Sequence, residues 1–191
     1  MEEPIRTVIA LAIVLASLLA ARPVCARTVG GVEMPDSIQI GQTLLRLNGM
    51  ALYRKFGFPI LVSSLYWRHQ ESDPKVILGS DSPRKYVAHF LHRVSAKRIS
   101  DAWKRGLVEN TPDASEEVRA DFLTLYGWLR DFHSGDEIVV TYLPASGCRV
   151  EINGTEMGVI PGKEFADAYF ALALGPRPTF GTKFQRKLLG K

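Results

Sequence analysis

Cysteine is scarce in this chain of 191 residues, which contains only two, Cys25 and Cys148. Cys25 lies in an N-terminal segment that we expect to be removed, so Cys148 would be alone and an internal disulfide is excluded. The four histidines form no HExxH pair, and His89 and His92 are predicted on opposite sides of a strand. We therefore predict no disulfide and no metal site, and interpret Cys148 as a small hydrophobic residue.

Sequence signatures of catalysis are also missing. Ser63 and Ser64 lie outside a GxSxG nucleophile elbow, and Gly30-Gly31 precedes no phosphate-binding helix. No catalytic triad or carboxylate pair stands out either. The sequence therefore predicts no cofactor, and function has to be inferred from architecture and from family resemblance.

Charge of one sign is not concentrated in any segment. Lys and Arg number 24 and Asp and Glu number 20, which gives a formal net charge of +4. Both signs are mixed over residues 98–105 and 116–130. A nucleic-acid-binding surface would need a basic face with aromatic platforms or a known reading motif. Neither is recognisable, so we predict no nucleic-acid partner.

The longest apolar run, VIALAIVLASLLA at residues 8–20, follows Arg6 and precedes Val24-Cys25-Ala26, a small-x-small cleavage pattern. It is shorter than the roughly 20 residues that a membrane-spanning helix needs. We predict that residues 1–26 are a signal peptide cleaved after Ala26, and that the mature domain, residues 27–191, is periplasmic or secreted with no membrane span. The alternative is an uncleaved membrane anchor.

Residues 135–175 predict a complete substructure. Alternating apolar residues over 138–143 indicate a strand, and Asn153-Gly154 is a pair that favours a type I′ hairpin turn between two further strands. Apolar residues then recur at helical spacing between Pro161-Gly162 and Gly175-Pro176. The pattern is typical of a three-stranded meander followed by a helix.

The rest of the chain supplies further strands and two longer helices. We predict an irregular lead-in over 27–35. We predict strands over 37–40, 44–53, 58–67 and 84–92, a short helix after Asp73-Pro74, a helix over 96–108 capped by Ser95, and another begun by Thr111-Pro112-Asp113 and continuing over 114–132. This order predicts an α+β domain whose mostly antiparallel sheet carries helices on one face.

Several motifs together resemble the bacterial chalcone isomerase-like proteins. They are LRLNGMALYRKFGFPILVSSLYW (45–67), SDSPRKYVAHFLHRVSAKRISDAW (80–103), the INGTEMGVIPG region (152–162) and the closing FQRKLLG (184–190). The resemblance extends over residues 32–190. It implies the chalcone isomerase fold, in which an apolar cleft lies between the sheet and its helices.

The resemblance also implies which positions matter. The plant enzymes of this superfamily close a chalcone to a flavanone without a cofactor, and an arginine stabilises the phenolate; fatty-acid-binding relatives hold a carboxylate in the same cleft. Carried over by position, the catalytic threonine corresponds to Asn48, the arginine falls near Asp36 and a tyrosine near Ile99. A carboxylate at Asp36 would repel an anionic ligand, which favours a non-catalytic member.

We therefore predict that the domain binds a small apolar or amphipathic molecule in the cleft. The candidate ligand-binding side chains are Arg46 and Asn48 on one strand face, and Tyr53, Arg54 and Tyr66 around the following hairpin. The alternative function is that of an isomerase or intramolecular lyase that acts on an unsaturated phenolic compound, with Asn48 and a nearby arginine in altered roles. A third is an accessory protein in an envelope assembly. The sequence leaves the ligand and the oligomeric state open.

Overall fold

Nine strands and five helices make up the part of the chain that the computed structural model describes, residues 26–191. The predicted signal peptide lies outside these residues except for Ala26. In chain order the elements are β1 (Ala26–Val29), β2 (Val32–Pro35), β3 (Ser37–Ile40), β4 (Thr43–Lys55), β5 (Phe58–Trp67), α1 (Pro74–Gly79), β6 (Arg84–Phe90), α2 (Ala96–Asn110), α3 (Glu116–Trp128), β7 (Glu137–Leu143), β8 (Gly147–Ile152), β9 (Thr155–Ile160), α4 (Lys163–Leu174) and α5 (Thr182–Leu188).

The main sheet contains seven strands, β3 to β9, which lie side by side in chain order. Each strand pairs antiparallel with the next. The predicted α+β domain with a mostly antiparallel sheet is confirmed. The predicted hairpin at Asn153-Gly154 is confirmed as well, because both residues have the positive φ values, 51° and 75°, that a type I′ turn requires.

The irregular lead-in that we predicted for residues 27–35 is wrong. These residues form the β1–β2 hairpin, which turns at Gly30-Gly31 and buries Val32 and Met34. The two strands have only four residues each, too few for the alternation of apolar residues to stand out. The hairpin covers part of the outer face of the sheet, where Leu45 and Tyr66 belong to the same apolar cluster.

Helices cover the inner face. Ser95 caps α2 as predicted, since its hydroxyl accepts a hydrogen bond from Arg98 N at 3.3 Å. Helix α3 begins later than predicted, because the cap is Ser115, which accepts from Val118 N at 3.2 Å. Helix α4 is apolar on nearly every side and packs at the centre of the inner layer, among the sheet and the other helices.

Helix α5, which the sequence patterns did not predict, lies directly on β4. A side chain at Gly49 would come within 2.2 Å of Lys187 O and 2.5 Å of Leu188 O. Only glycine therefore allows this close approach. Among the helices described, none is long and apolar enough to cross a bilayer.

Candidate ligand-binding cleft

A cavity of about 340 Å³ lies between the inner face of the sheet and α2. The sheet side is formed by β4 to β7, the helix side by α2, and one end is closed by the loop that follows α4. The apolar residues that line it are Ile60, Leu61, Ala88, Phe90, Val94, Ile99, Ala102, Trp103, Ile138 and Phe180.

Two local periodicities produce this apolar lining. Tyr86, Ala88 and Phe90 alternate along β6, so their side chains reach the same face of the sheet. Ile99 and Trp103 are four residues apart on α2 and face them. Ala88 is small, which leaves open the space that a larger side chain would occupy.

Aromatic rings close the end of the cavity next to β4. The Tyr53 ring lies 4.7 Å from the Phe180 ring, centroid to centroid, and Phe180 lies 5.0 Å from Phe184 on α5. Phe180 belongs to the loop between α4 and α5, and Tyr53 to β4. This contact holds the loop against the sheet.

Among the residues that line the cavity, Tyr86 and Thr179 carry buried hydroxyl groups. Tyr86 Oη donates to Ser63 Oγ at 2.7 Å, and burial raises the pKa of Tyr86 well above its ordinary value, so the phenol keeps its proton at neutral pH. Thr179 Oγ1 is buried and has no hydrogen-bond partner within residues 26–191. The Thr179 hydroxyl is thus without a partner in the described structure, whereas the Tyr86 proton is engaged by Ser63.

The rim of the cavity is cationic. Lys55, Arg93, Arg98 and Arg105 line it together with His92, against the single carboxylate of Asp101. Two of these charges are already paired: Arg93 donates to Asp131 at 2.9 Å, which lowers the pKa of Asp131, and Asp101 accepts from Lys97 at 2.6 Å.

Arg98 and Arg105 are the two arginines of the rim that stay available. They are exposed and seven residues apart on α2, hence on the same side of the helix. Their side chains make no hydrogen bond or ion pair with any residue in the described part of the chain. They can therefore bind an anion at the mouth of the cavity.

Of the predicted binding residues, the structure places only Tyr53 at the cavity. Arg46 is exposed on β4, and Arg54 is exposed at the β4–β5 turn, where its Nη1 donates to Gly57 O at 3.0 Å. Tyr66 lies on the outer face of the sheet and donates to Pro35 O at 3.0 Å. Burial and then the nearby carboxylates, chiefly that of Asp36, raise the pKa of Tyr66 to about 12.

Asn48 is fully buried, does not line the cavity, and hydrogen-bonds to two other segments of the chain. Its Nδ2 donates to Glu71 O and to Leu188 O, both at 2.9 Å, and its Oδ1 accepts from Glu71 N at 2.7 Å. It occupies a β-bulge, because Leu47 pairs with Tyr66 and Gly49 with Leu65. The side-chain amide therefore ties β4 to the loop before α1 and to α5.

The family correspondence gave two further positions. Ile99, near which the resemblance predicts a family tyrosine, lines the cavity. Asp36, near which it predicts the family arginine, is not among the lining residues and precedes β3, where its carbonyl accepts from Leu47 N at 2.8 Å. Sequence reasoning did not identify the arginines of α2 as site residues, because their mixed-charge surroundings are typical of solvated surface.

Comparison with known proteins agrees with the fold. The family model described as chalcone isomerase-like matches residues 26–190. The fold is similar to that in the crystal structure of a fatty-acid-binding protein from Arabidopsis thaliana, with a TM-score of 0.64 and 15% identity over 86% of this chain and 96% of that one. No match is found among curated proteins. The chain belongs to the chalcone isomerase-like family.

Proposed function

We propose that this domain binds a small amphipathic molecule, with its apolar part in the cavity and an anionic head at the rim. The observation that carries the proposal is the apolar cavity of about 340 Å³ between the sheet and α2. Ligand pockets in proteins have volumes of about 300–1,000 Å³ and an apolar lining with a few polar groups. The cavity fits this description.

The ligand class follows from the charge at the rim. The side chains of Arg98 and Arg105 present guanidinium groups at the mouth, and guanidinium groups bind carboxylates with good geometry. The similar Arabidopsis structure is that of a fatty-acid-binding protein, which supports a fatty-acid type of ligand. The lining favours binding over catalysis, since the Tyr86 proton is engaged by Ser63.

Calorimetry with dodecanoate and with the uncharged dodecanol tests the proposal. Dodecanoate is expected to bind, and dodecanol to bind about tenfold more weakly because it lacks the charge that the arginines pair with. Fluorescence of Trp103, which lines the cavity, gives a second measurement of the same event. Absence of binding by either compound, with no lipid carried through purification, would refute the proposal.

Matched variants locate the site. Ala88→Leu fills the cavity and is expected to abolish dodecanoate binding, whereas Ala120→Leu, on the exposed side of α3, is expected to leave it unchanged. The double variant Arg98→Gln/Arg105→Gln is expected to weaken dodecanoate binding about tenfold without affecting dodecanol. Lys183→Gln on α5, an exposed cation away from the rim, is the control for charge.

We also propose that the domain acts after export, in the periplasm or outside the cell. The support is the apolar run at residues 8–20 followed by Val24-Cys25-Ala26. Sequencing the N-terminus of the exported protein is expected to give a start at Arg27. A mature form that retains Leu11 would contradict cleavage.

A further inference from the structure

The turn between β4 and β5 exposes two aromatic side chains. Phe56 is 90% exposed and Phe58 is 65% exposed. They are the only aromatic residues among the large exposed hydrophobic side chains of residues 26–191. Isolated exposed apolar residues are ordinary, but two phenylalanines at one hairpin turn form a patch that calls for a partner. We refer to residues 54–59 as the β4–β5 tip.

The backbone at this tip is unfavourable for phenylalanine. Phe56 has φ 52° and Gly57 has φ 84°. Asn or Gly occupies the first of these positions at little cost, as Asn153 does in the β8–β9 turn, whereas a bulky side chain is rarely found there. The aromatic ring therefore contributes nothing to the turn itself, which indicates a role outside the fold.

Two cations of the tip lie next to Phe56 in the chain. Arg54 and Lys55 precede Phe56 and are exposed, and Lys55 Nζ lies 5.8 Å from the centroid of the Phe56 ring. Aromatic side chains next to Lys and Arg are the combination that inserts into the interface of an anionic bilayer. The charge of the tip thus favours a negatively charged lipid surface.

The tip is continuous with the mouth of the cavity. Lys55 and Ile60, on either side of the turn, both line the cavity. Ile60 O also accepts from Leu91 N at 2.8 Å, and this hydrogen bond brings the rim residues His92 and Arg93 to the same edge. A surface that contacts Phe56 and Phe58 would therefore meet the cationic rim as well.

We propose that the β4–β5 tip docks on an anionic lipid surface through Phe56 and Phe58 and turns the cavity mouth towards that surface. The docking proposal depends on the exposed rings and the cations beside them. It does not depend on whether the cavity binds a fatty acid. A second copy of the chain is a poorer occupant, because two tips of the same positive charge would repel each other.

Sedimentation with vesicles tests the proposal. The protein, expressed from the full chain, is mixed with vesicles of phosphatidylcholine alone or of phosphatidylcholine with phosphatidylglycerol. Binding is expected with the anionic vesicles, to be weak with the neutral ones, and to decrease with added salt. Every variant has the same N-terminal residues 1–25, so a difference in vesicle binding between variants comes from the substituted residues.

The decisive variant is Phe56→Asn/Phe58→Thr, which keeps a favourable Asn-Gly turn and a strand-forming residue while it removes both rings. It is expected to bind anionic vesicles at least about tenfold more weakly, at an unchanged or higher melting temperature because Asn fits the positive φ of position 56. Leu123→Gln, which removes a side chain 66% exposed on α3, is the matched control and should bind as the parent does.

The proposal would be overturned if the parent protein did not bind anionic vesicles, or if the Phe56→Asn/Phe58→Thr variant bound them as well as the parent does. A dimer in solution that this variant abolishes would also overturn it. The cavity-filling Ala88→Leu variant separates this proposal from the ligand-binding one. It is expected to lose dodecanoate binding and to retain vesicle binding.

Discussion

The buried guanidinium group of Arg84 on β6 donates to the partly exposed carboxylate of Asp167 on α4. Arg84 is fully buried, and its guanidinium carbon lies 4.9 Å from the Tyr142 ring centroid and 4.8 Å from that of Phe170. It also donates to Ile77 O at 2.8 Å. One side chain thus connects the sheet, α1 and α4.

Replacing Asp167 with asparagine should therefore be costly. The Arg84 charge would remain buried without its carboxylate, and we expect the free energy of unfolding to fall by about 2–3 kcal/mol, less than for a wholly enclosed pair because Asp167 is partly exposed. Urea denaturation measures the change. Asp101→Asn, in the exposed pair with Lys97, is the control; an equal loss in both variants would contradict the role assigned to the Arg84 pair.

Asn48→Leu is expected to lower the free energy of unfolding by about 3 kcal/mol, because Glu71 N, Glu71 O and Leu188 O would lose their partner. Arg46→Leu, two residues away and exposed, should change stability little. Urea denaturation and dodecanoate calorimetry are run on both variants. If Asn48→Leu weakened dodecanoate binding at full stability, the predicted ligand-binding role of Asn48 would replace the structural one.

Stability should decrease in alkaline solution because of Cys148. Burial raises the pKa of its thiol from 9.0 to about 12, so above pH 9 the unfolded chain loses a proton that the folded chain keeps. The stabilisation is complete below that pH and is lost as pH rises towards 12. By about pH 10.5 the loss in the free energy of unfolding should amount to about 2 kcal/mol.

Unfolding by urea at neutral pH and at about pH 10.5 measures this loss. Cys148→Ala is expected to reduce the difference between the two conditions by about 2 kcal/mol and to leave the part that the buried tyrosines contribute, because the pKa values of Tyr66, Tyr86, Tyr126, Tyr142 and Tyr169 are raised as well. An unchanged difference in Cys148→Ala would mean that the thiol does not carry the effect.

Thr179→Val distinguishes a hydroxyl that serves a ligand from one that serves the fold. The hydroxyl is buried without a partner in the described structure, so removing it should leave stability unchanged or raise it by about 1 kcal/mol. With the head group at the rim, as proposed, dodecanoate affinity should stay unchanged; a several-fold loss would show that the carboxylate enters the cavity and accepts from this hydroxyl instead. Thr124→Val on α3, where the hydroxyl is exposed, should change neither quantity. A loss of stability in Thr179→Val would contradict the unpaired state.

Local patterns were sufficient to predict most of the fold. The Asn153-Gly154 turn, the strand at 58–67 and the Ser95 cap depend on neighbouring residues and can be recognised without knowing the rest of the chain. The predicted strand over 84–92 implies, by the alternation of side chains, that Tyr86, Ala88 and Phe90 share one face. The family resemblance added the cleft between sheet and helices.

The site residues could not be predicted because they depend on which elements meet in space. Strict alternation of side chains predicted Asn48 on the same side of β4 as Arg46. The bulge at Asn48 breaks that alternation, and no residue pattern in the sequence indicates the bulge. Arg98 and Arg105 have the spacing of ordinary surface residues; they become rim residues only because α2 packs over β6. Tyr53 reaches the cavity by contact with Phe180, which is distant in sequence.

The bulge at Asn48 also determines the order in which the molecule can assemble. The pairs β3–β4, β4–β5, β7–β8 and β8–β9 are joined by short turns, so these hairpins can each close by themselves, within about 1–10 μs. The hydrogen bond from Asn48 to Leu188 O joins residues 140 positions apart. It can form only after the intervening chain has brought α5 back to β4. The docking of α5 on Gly49 is thus the long-range step that completes β4, after the local pairings have formed.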